Sequence, residues 1–320
     1  MRLRVLYHGN CFDGSASAGL FACFFRERLA QGPAEVAYTA MQHKGEAQPI
    51  AGDLLDGDVN ACVDFRYSQD PRLHWWCDHH VSAFQVPGDE AHFRADTSGR
   101  KFYDPRAKSC AKFLANSLAE RFGWDIARFA DLLQWAEIVD GALFPSAAMA
   151  VELREPALQL MTWVENNRDR ALAERFIEDL VARPLGDIAA DAYVANALAP
   201  LLERHGKNIE SMRRLSRLEN GVAFANLIPE GVATLNKFIV YYLHPEARYS
   251  VTLLEHKERY KISVGSNPWP KTPRTHDIAK LCERYGGGGH PAVGAISLPK
   301  TDRAAVERVA GEIVAYLQKG

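Results

Sequence analysis

The sequence predicts a two-domain α/β protein, whose first domain contains a parallel sheet with a helical insert and whose second, smaller domain is also α/β. Two observations support this prediction. Short apolar runs in the first half end in acids or histidines, and a helical stretch from about residue 109 to 217 is followed by new strand-like runs. A length of 320 residues, 47% of them hydrophobic, is sufficient for two cores. We place the first domain at 1–200, a connector helix at 201–218 and the second domain at 219–320.

Acidic residues and histidines follow three predicted strands. The run 3–7 leads into His8 and Asp13, the run 59–65 contains Asp64, and the run 75–77 leads into 78–80, which reads Asp-His-His. Open α/β sheets bind their ligands at the carboxyl ends of their strands, so these side chains are expected to meet at one edge. Ordinary turn chemistry is the alternative, with Asp13 capping the helix that follows it.

The middle of the sequence is predicted to be helical. A helix at 111–121 precedes a second helix that Asp125 caps and that ends at Asp140 and Gly141. Asp140 lies on an otherwise apolar helix face, where a buried carboxylate needs a cation or a hydrogen-bond donor. Further helices follow from 147 to 217, with interruptions at three prolines (Pro156, Pro184 and Pro200). Trp75 and Trp76 are assigned to packing on opposite faces of their strand.

The second domain carries a run of four glycines before a histidine. Strands are predicted at 222–227, 248–254, 260–264 and 293–298, with helices at 278–285 and from about 299 to 317. Glycines 286–289 precede His290 in a predicted loop. Because glycine has no Cβ, four in a row allow the backbone to approach an anion closely, whereas a helix cap needs only one.

Charge and composition favour a nucleotide substrate and a cytoplasmic location. Residues 1–200 contain 20 Lys and Arg against 28 Asp and Glu, a net charge of −8, while residues 201–320 contain 18 against 12, a net charge of +6. An acidic first part suits cation ligands and a basic second part suits a polyanion. The six cysteines form no Cys-x-x-Cys pair, and no apolar run is long enough to cross a bilayer, so no membrane partner is expected.

The order of these motifs resembles the DHH phosphoesterase superfamily with a C-terminal DHHA1 domain. The matching motifs are the opening 8–14, Asp64, the Asp-His-His at 78–80, Asp140, and 287–290. The resemblance covers essentially the whole chain. Its length and the opening His-x-Asn-x-Phe-Asp-Gly are most similar to the nano-RNase type oligoribonucleases.

The resemblance implies a two-manganese site in a cleft between the two domains. His8 would bind one metal, Asp13 the other, and Asp64 both. His79 and Asp140 would complete the second metal site, Asp78 would orient an imidazole, and His80 would face the phosphate. The substrate would be held by Gly287, Gly288, Gly289 and His290. Carboxylate and imidazole ligands suit manganese, and another divalent ion such as Mg²⁺ is the alternative.

Two positions depart from the pattern of the superfamily. Cys11 stands where the first of two aspartates is usual, so either its thiolate ligates a metal, or Asn10 supplies an oxygen, or one metal site is weak. The usual Arg-Ser after a DHHA1 strand is here 265–266, which reads Gly-Ser. The candidates for the missing arginine are Arg248, Lys271 and Arg274.

The expected function is a manganese-dependent phosphodiesterase, an exonuclease that hydrolyses short oligonucleotides or linear dinucleotides by means of an activated water. One alternative is a phosphatase acting on 3′-phosphoadenosine 5′-phosphate. Another is a catalytically weak nucleotide-sensing protein whose metal site has lost function through Cys11. The sequence leaves open the oligomeric state, for which a homodimer is one option, and the preference for RNA or DNA.

Overall fold

The computed structural model describes residues 1–42, 49–269 and 274–319. The chain divides into two compact units. The first comprises Met1–Phe144 and Arg154–Leu198, and the second comprises Pro145–Leu153 and Ala199–Gly320. Both units combine helices with a sheet, so the predicted α/β class with two domains is confirmed.

The first unit is built on a five-stranded parallel sheet. Its strands are β1 (Arg2–His8), β2 (Glu35–Met41), β3 (Val59–Val63), β4 (Trp75–Asp78) and β5 (Lys101–Tyr103). They are arranged in the order β2-β1-β3-β4-β5, and all neighbours are parallel. All five carboxyl ends therefore lie at the same edge of the sheet. Strand β5 was not predicted, since three half-buried residues are too few to show a periodicity.

Most helices of the chain lie in predicted helical regions. The helices are α1 (Phe12–Phe24), α2 (Asp89–Ala95), α3 (Cys110–Phe122), α4 (Ala130–Asp140), α5 (Ala147–Glu152), α6 (Pro156–Asn166), α7 (Arg170–Ala182), α8 (Leu185–Ala190), α9 (Ala192–Leu215), α10 (Ile239–Leu243), α11 (Ile278–Glu283) and α12 (Arg303–Leu317). Of these, α2 and α10 were not predicted. A π-helical turn, Phe25–Leu29, continues α1. Among the described residues, none of these helices combines the length and apolar character needed to span a bilayer.

Both faces of the first sheet are buried. One face packs on α1, α3, α4 and the helices α6–α8, with Trp75 in that core. The opposite face packs on a second cluster that contains Trp76. The two tryptophans therefore lie on opposite faces of β4, as predicted. Burial on both faces explains why these strands read as continuous apolar runs rather than as alternating ones.

Two predictions about the helical region were wrong. Pro200 lies inside α9 and does not interrupt it, because the buried face of this helix, which includes Val194, Leu198 and Met212, compensates for the missing backbone N–H. The connector helix was placed at 201–218, whereas α9 begins at Ala192 and ends at Leu215. Pro156 and Pro184 do mark helix starts, at the first turn of α6 and before α8.

The second unit contains a six-stranded mixed sheet. Its strands are β6 (Ser216–Glu219), β7 (Val222–Asn226), β8 (Tyr249–Glu255), β9 (Arg259–Ser266), β10 (Gly288–His290) and β11 (Val293–Pro299), in the order β10-β11-β9-β8-β7-β6. Strands β7 and β8 are parallel, and the other neighbours are antiparallel. The glycine run was predicted to be a loop, but its last two residues and His290 form β10.

Candidate metal centre

The carboxyl ends of β1, β3 and β4 supply the side chains of the candidate site. His8 is the last residue of β1, Asp64 follows β3 directly, and Asp78 ends β4 immediately before His79 and His80. The Nδ1 atom of His8 lies 3.4 Å from Oδ2 of Asp64, and Nε2 of His79 lies 3.5 Å from Oδ1 of Asp64. The parallel sheet therefore brings these sequence-predicted residues together around one carboxylate.

Local backbone geometry explains why a glycine follows Asp13. A Cβ on Gly14 would lie 2.2 Å from the carbonyl oxygen of His8, so only glycine allows α1 to start this close to the end of β1. Asp64 itself has a φ of +55°, a left-handed conformation that aspartate tolerates better than most residues. Its N–H donates to the carbonyl oxygen of Cys77 at 2.9 Å. This bond fixes the turn that aims the carboxylate at the site.

The N-terminus of α3 anchors Asp13. The N–H of Cys110 donates to Oδ2 of Asp13 at 2.6 Å, and the N–H of Ala111 donates to Oδ1 at 3.0 Å. Asp13 is fully buried, and the free N–H groups of a helix N-terminus favour an anion there. Asp13 therefore accepts hydrogen bonds from the first two N–H groups of α3, whose N-cap is Ser109, rather than capping the helix on which it stands. This contact was not predicted.

A backbone carbonyl sets the orientation of His79. Its Nδ1 lies 3.0 Å from the carbonyl oxygen of Ala107, and because a carbonyl oxygen only accepts, Nδ1 carries the proton. Nε2 then faces the acids, at 3.3 Å from Oδ2 of Asp140 and 3.9 Å from Oδ2 of Asp13. This is the arrangement in which a histidine presents a lone pair to a metal.

Asp78 holds the two histidines that follow it. Its Oδ1 accepts from the N–H of His79 at 2.8 Å, from the N–H of His80 at 3.2 Å, and from Nδ1 of His80 at 2.7 Å. These are the contacts that an orienting role for Asp78 requires. His80 also lies near Asp64, with Nδ1 3.8 Å from Oδ1.

The donor set fits divalent cations. Two groups of side chains, His8, Asp64 and His80, and Asp13, Asp64 and His79, each offer ligand atoms that lie within 4.8 Å of one another. Asp64 belongs to both groups. Within the described residues, neither of its buried carboxylate oxygens makes a hydrogen bond, and neither does Nε2 of His79. Buried polar atoms without hydrogen bonds are costly, and a shared pair of cations would satisfy all three.

The two groups differ in two respects from the ligand set that the resemblance implies. His80 lies close enough to Asp64 to serve as a third ligand beside His8, whereas the resemblance assigns it to the phosphate. Asp140 belongs to neither group, but it contacts the second one through His79. The five residues of the two groups and Asp140 all lie in the first unit.

The pKa shifts of the acids and of His79 also favour a bound cation at the site. Burial raises the pKa of Asp13 well above its usual range, and the charges of Asp64 and Asp140 raise it further. Burial and the charge of Asp64 raise the pKa of Asp140 to about 6. Burial by itself lowers the pKa of His79, but its contacts with Asp64 and the carbonyl of Ala107 outweigh burial and raise it. The acids therefore repel one another and retain a proton on His79, which a cation would replace.

The side-chain amide of Asn10 makes hydrogen bonds with other parts of the chain. Asn10 donates through Nδ2 to the carbonyl oxygens of Val164 and Asn167, and its Oδ1 accepts from Gln42 at 3.1 Å, so its amide is occupied in holding the chain. Asn10 is therefore a poor source of a metal-binding oxygen.

Cys11 lies within the electrostatic reach of the acids. Burial raises the pKa of its thiol well above the usual range, and the charges of Asp64 and Asp13 raise it further. The thiol is therefore neutral unless a cation displaces its proton. Cys11 belongs to neither of the two ligand groups.

Two glycines of the run 286–289 are required by the packing of the second unit. A Cβ on Gly287 would lie 2.3 Å from the carbonyl oxygen of Ala295, and a Cβ on Gly289 would lie 2.3 Å from that of Val293. These two glycines are needed for close packing against β11. Gly288 has open space where a Cβ would stand, and His290 is exposed. Gly289 is also exposed, so the packing requirement at this glycine is compatible with access from solvent.

Of the three candidates to replace the arginine that is usual at position 265, Arg248 lies nearby. The carbonyl oxygen of Arg248 accepts from the N–H of Asn267 at 2.9 Å, which places this half-buried arginine beside the end of β9. Arg274 is exposed, and Lys271 lies outside the described residues.

Comparison with solved structures identifies the fold. PggH, a pGpG-specific phosphodiesterase from Vibrio cholerae, aligns with a TM-score of 0.68 and 19% identity over 98% of this chain and 99% of that chain. A DHH domain from a member of the s1p family of ribosomal proteins aligns with a TM-score of 0.58 and 14% identity over 99% of this chain and 87% of that chain. RecJ of Thermus thermophilus in complex with Mn²⁺ aligns with a TM-score of 0.53 and 15% identity.

The extent of these alignments differs. The RecJ alignment covers 98% of this chain but only 52% of RecJ, so this chain spans about half of that protein. No protein-family model and no curated protein matches the sequence. The structural neighbours share both the parallel-sheet unit and the mixed-sheet unit over nearly the whole chain. The fold of this chain is therefore similar to that of these solved structures, one of which is described as a DHH domain, in line with the expectation from the order of the sequence motifs.

Proposed function

We propose that this protein is a metal-dependent phosphodiesterase that hydrolyses short oligonucleotides and linear dinucleotides. The observation that carries the proposal is the position of Asp64, whose two buried oxygens lack hydrogen bonds among the described residues and belong to both candidate ligand groups. A carboxylate shared in this way suits two cations held side by side. The likeness to a pGpG-specific phosphodiesterase supports the dinucleotide as substrate.

The roles of the side chains follow from their contacts. Bound divalent cations would supply a water of lowered pKa and would neutralise the charge of the phosphodiester. Asp13 and His79 are held in place by α3 and by the carbonyl of Ala107, so they present fixed ligand atoms. Asp78 fixes His80, and its charge raises the pKa of that imidazole although burial by itself lowers it. Where His8 and Asp64 hold the first cation without His80, a protonated His80 can instead donate to a phosphate oxygen at the edge of the cluster.

We assign manganese as the metal. Mixed carboxylate and imidazole donors suit Mn²⁺, while Mg²⁺ prefers oxygen ligands and retained water. A RecJ structure similar in fold was solved with Mn²⁺ and another with Mg²⁺, which supports a divalent ion of this class.

The second unit would supply the substrate seat. Gly287, Gly288, Gly289 and His290 are the positions proposed to hold the substrate, and of these Gly289 and His290 are exposed. A cytoplasmic location also belongs to this proposal.

A hydrolysis assay tests the proposal. The purified protein with Mn²⁺ is incubated with a labelled dinucleotide, a five-mer, a longer strand and 3′-phosphoadenosine 5′-phosphate. We expect the dinucleotide to be hydrolysed, and we expect Asp64→Ala to abolish the activity. The matched control is Asp70→Ala, which removes a carboxylate that pairs with Arg72 instead.

Other outcomes distinguish the alternatives. Turnover of the mononucleotide alone favours the phosphatase. Binding of nucleotides without turnover favours the sensing protein, which is the function expected if Cys11 has weakened the metal site. Full activity of Asp64→Ala would contradict the shared-ligand role.

A further inference from the structure

The segment between β5 and α3 carries a lysine that differs from its basic neighbours. Arg106 forms two hydrogen bonds with the carboxylate of Asp104, at 3.0 and 3.2 Å, and Lys112 pairs with Glu137 at 2.6 Å. Lys108 is exposed and forms no ion pair with any of the described residues. Among the two basic residues of this segment and Lys112 in the first turn of α3, Lys108 is the one without an ion pair among the described residues.

The neighbours of Lys108 in the chain are bonded to the candidate metal ligands. The carbonyl of Ala107, one residue before it, accepts from Nδ1 of His79 at 3.0 Å. The N–H of Cys110, two residues after it, donates to Asp13 at 2.6 Å. The backbone of Lys108 is thereby held at the rim of the cluster from both sides.

A third contact comes from the end of α4. A Cβ placed on Gly141 would lie 3.1 Å from the Cβ of Lys108, and Gly141 follows Asp140 directly. The stem of Lys108 therefore begins beside three candidate ligands, Asp13, His79 and Asp140. A lysine has a flexible four-carbon stem, which is long enough to bring its ammonium group over a phosphate held at the cluster.

We propose that Lys108 binds a non-bridging oxygen of the substrate phosphate and thereby determines affinity for the oligonucleotide. This inference rests on the proposed function. The cluster is rich in carboxylates, and a bare phosphodiester brings a further negative charge. An unpaired ammonium group at the rim attracts that charge and forms a charge-assisted hydrogen bond with the phosphate oxygen.

The test compares Lys108→Met and Lys108→Arg with the control Arg106→Gln, an exposed position on the same segment. Hydrolysis of a dinucleotide and affinity for Mn²⁺ are measured for each variant. We expect Lys108→Met to lower kcat/KM about tenfold, mainly through KM, because one hydrogen bond to a charged group is lost. We expect Lys108→Arg to recover most of the activity, and Arg106→Gln and every Mn²⁺ affinity to remain at the wild-type level.

Two results would overturn the inference while leaving the proposed function intact. One is that the wild-type protein is active and that Lys108→Met has the same kcat/KM as the wild-type protein. The other is a parallel loss of Mn²⁺ affinity in that variant, which would show that Lys108 only supports the cluster. A wild-type protein that hydrolyses no dinucleotide would contradict the proposed function, and the inference with it.

Discussion

Replacing Asp64 with asparagine should remove the protein's stabilisation by manganese. Asparagine preserves the size of the side chain but exchanges one carboxylate oxygen for an amide NH₂, which cannot ligate a metal. Because Asp64 belongs to both ligand groups, the substitution affects both cation positions at once. We expect Mn²⁺ affinity to fall at least about 100-fold, which corresponds to about 2.7 kcal/mol.

The size of the thermal shift follows from mass action. At a free Mn²⁺ concentration of about 100 times Kd, binding stabilises the folded wild-type protein by about 2.7 kcal/mol. The first unit contains about 190 residues. For a domain of that size, each kcal/mol raises Tm by about 2–4 °C, so the wild-type Tm should rise by about 5–11 °C.

Scanning calorimetry with and without Mn²⁺ measures both quantities. The wild-type protein and the control Asp70→Asn should show the full shift, and Asp64→Asn should show almost none at the same Mn²⁺ concentration. The Asp70 carboxylate pairs with Arg72 and lies outside both ligand groups, so it is a matched loss of charge. A full shift in Asp64→Asn, or an equal loss in Asp70→Asn, would refute the reasoning.

Three further predictions concern the ligands and the glycine run. Cys11→Asp should maintain or tighten Mn²⁺ binding in a calorimetric titration, because it restores an oxygen ligand, and complete loss would mean that the thiol has a specific role. Mn²⁺ affinity should fall as the pH decreases through 6, by about tenfold per pH unit for one competing proton, because burial and Asp64 raise the pKa of Asp140 to about 6. Titrations at pH 5, 6 and 7.5 check this, and a flat profile would contradict it. Gly287→Ala should destabilise the protein by about 2 kcal/mol or more, since its Cβ would lie 2.3 Å from a carbonyl oxygen. Gly288→Ala should change stability by less than about 0.5 kcal/mol in urea unfolding, and equal effects of the two would refute the packing argument.

The positions of the strand ends in the first unit could be predicted because short sequence patterns mark them. Continuous apolar runs ending in Asp or His identify buried parallel strands, and parallel strands bring their carboxyl ends to one edge. His8, Asp64 and His79 meet there for this reason alone. Asp140 was predicted to be a candidate metal ligand because it is an acid on an otherwise apolar helix face. This pattern also depends only on local spacing.

The contacts that orient these ligands could not be predicted in the same way. Asp13 is held by the N–H groups of Cys110 and Ala111, which lie about a hundred residues further along the chain. His79 is oriented by the carbonyl of Ala107. Backbone groups of this kind have no residue-type signature, so only the folded chain shows which of them face the site.

The glycine run has a second role that the sequence did not indicate. Four successive glycines suggested a seat for an anion, which stays a prediction, and Gly287 and Gly289 are also required by the close approach of β11. Asn10 was a candidate metal ligand because an amide oxygen can bind a cation, but tertiary hydrogen bonds use both ends of its amide. In both cases the residue type was informative, and the partner that decided its role was distant in sequence.

The most direct test is anomalous diffraction from a crystal soaked in Mn²⁺, recorded at the manganese absorption edge. Two anomalous peaks should appear, each beside a different oxygen of Asp64, one nearest His8 and the other nearest Asp13 and His79. A map with no peak at Asp64, or with manganese bound only elsewhere, would contradict the shared two-cation centre.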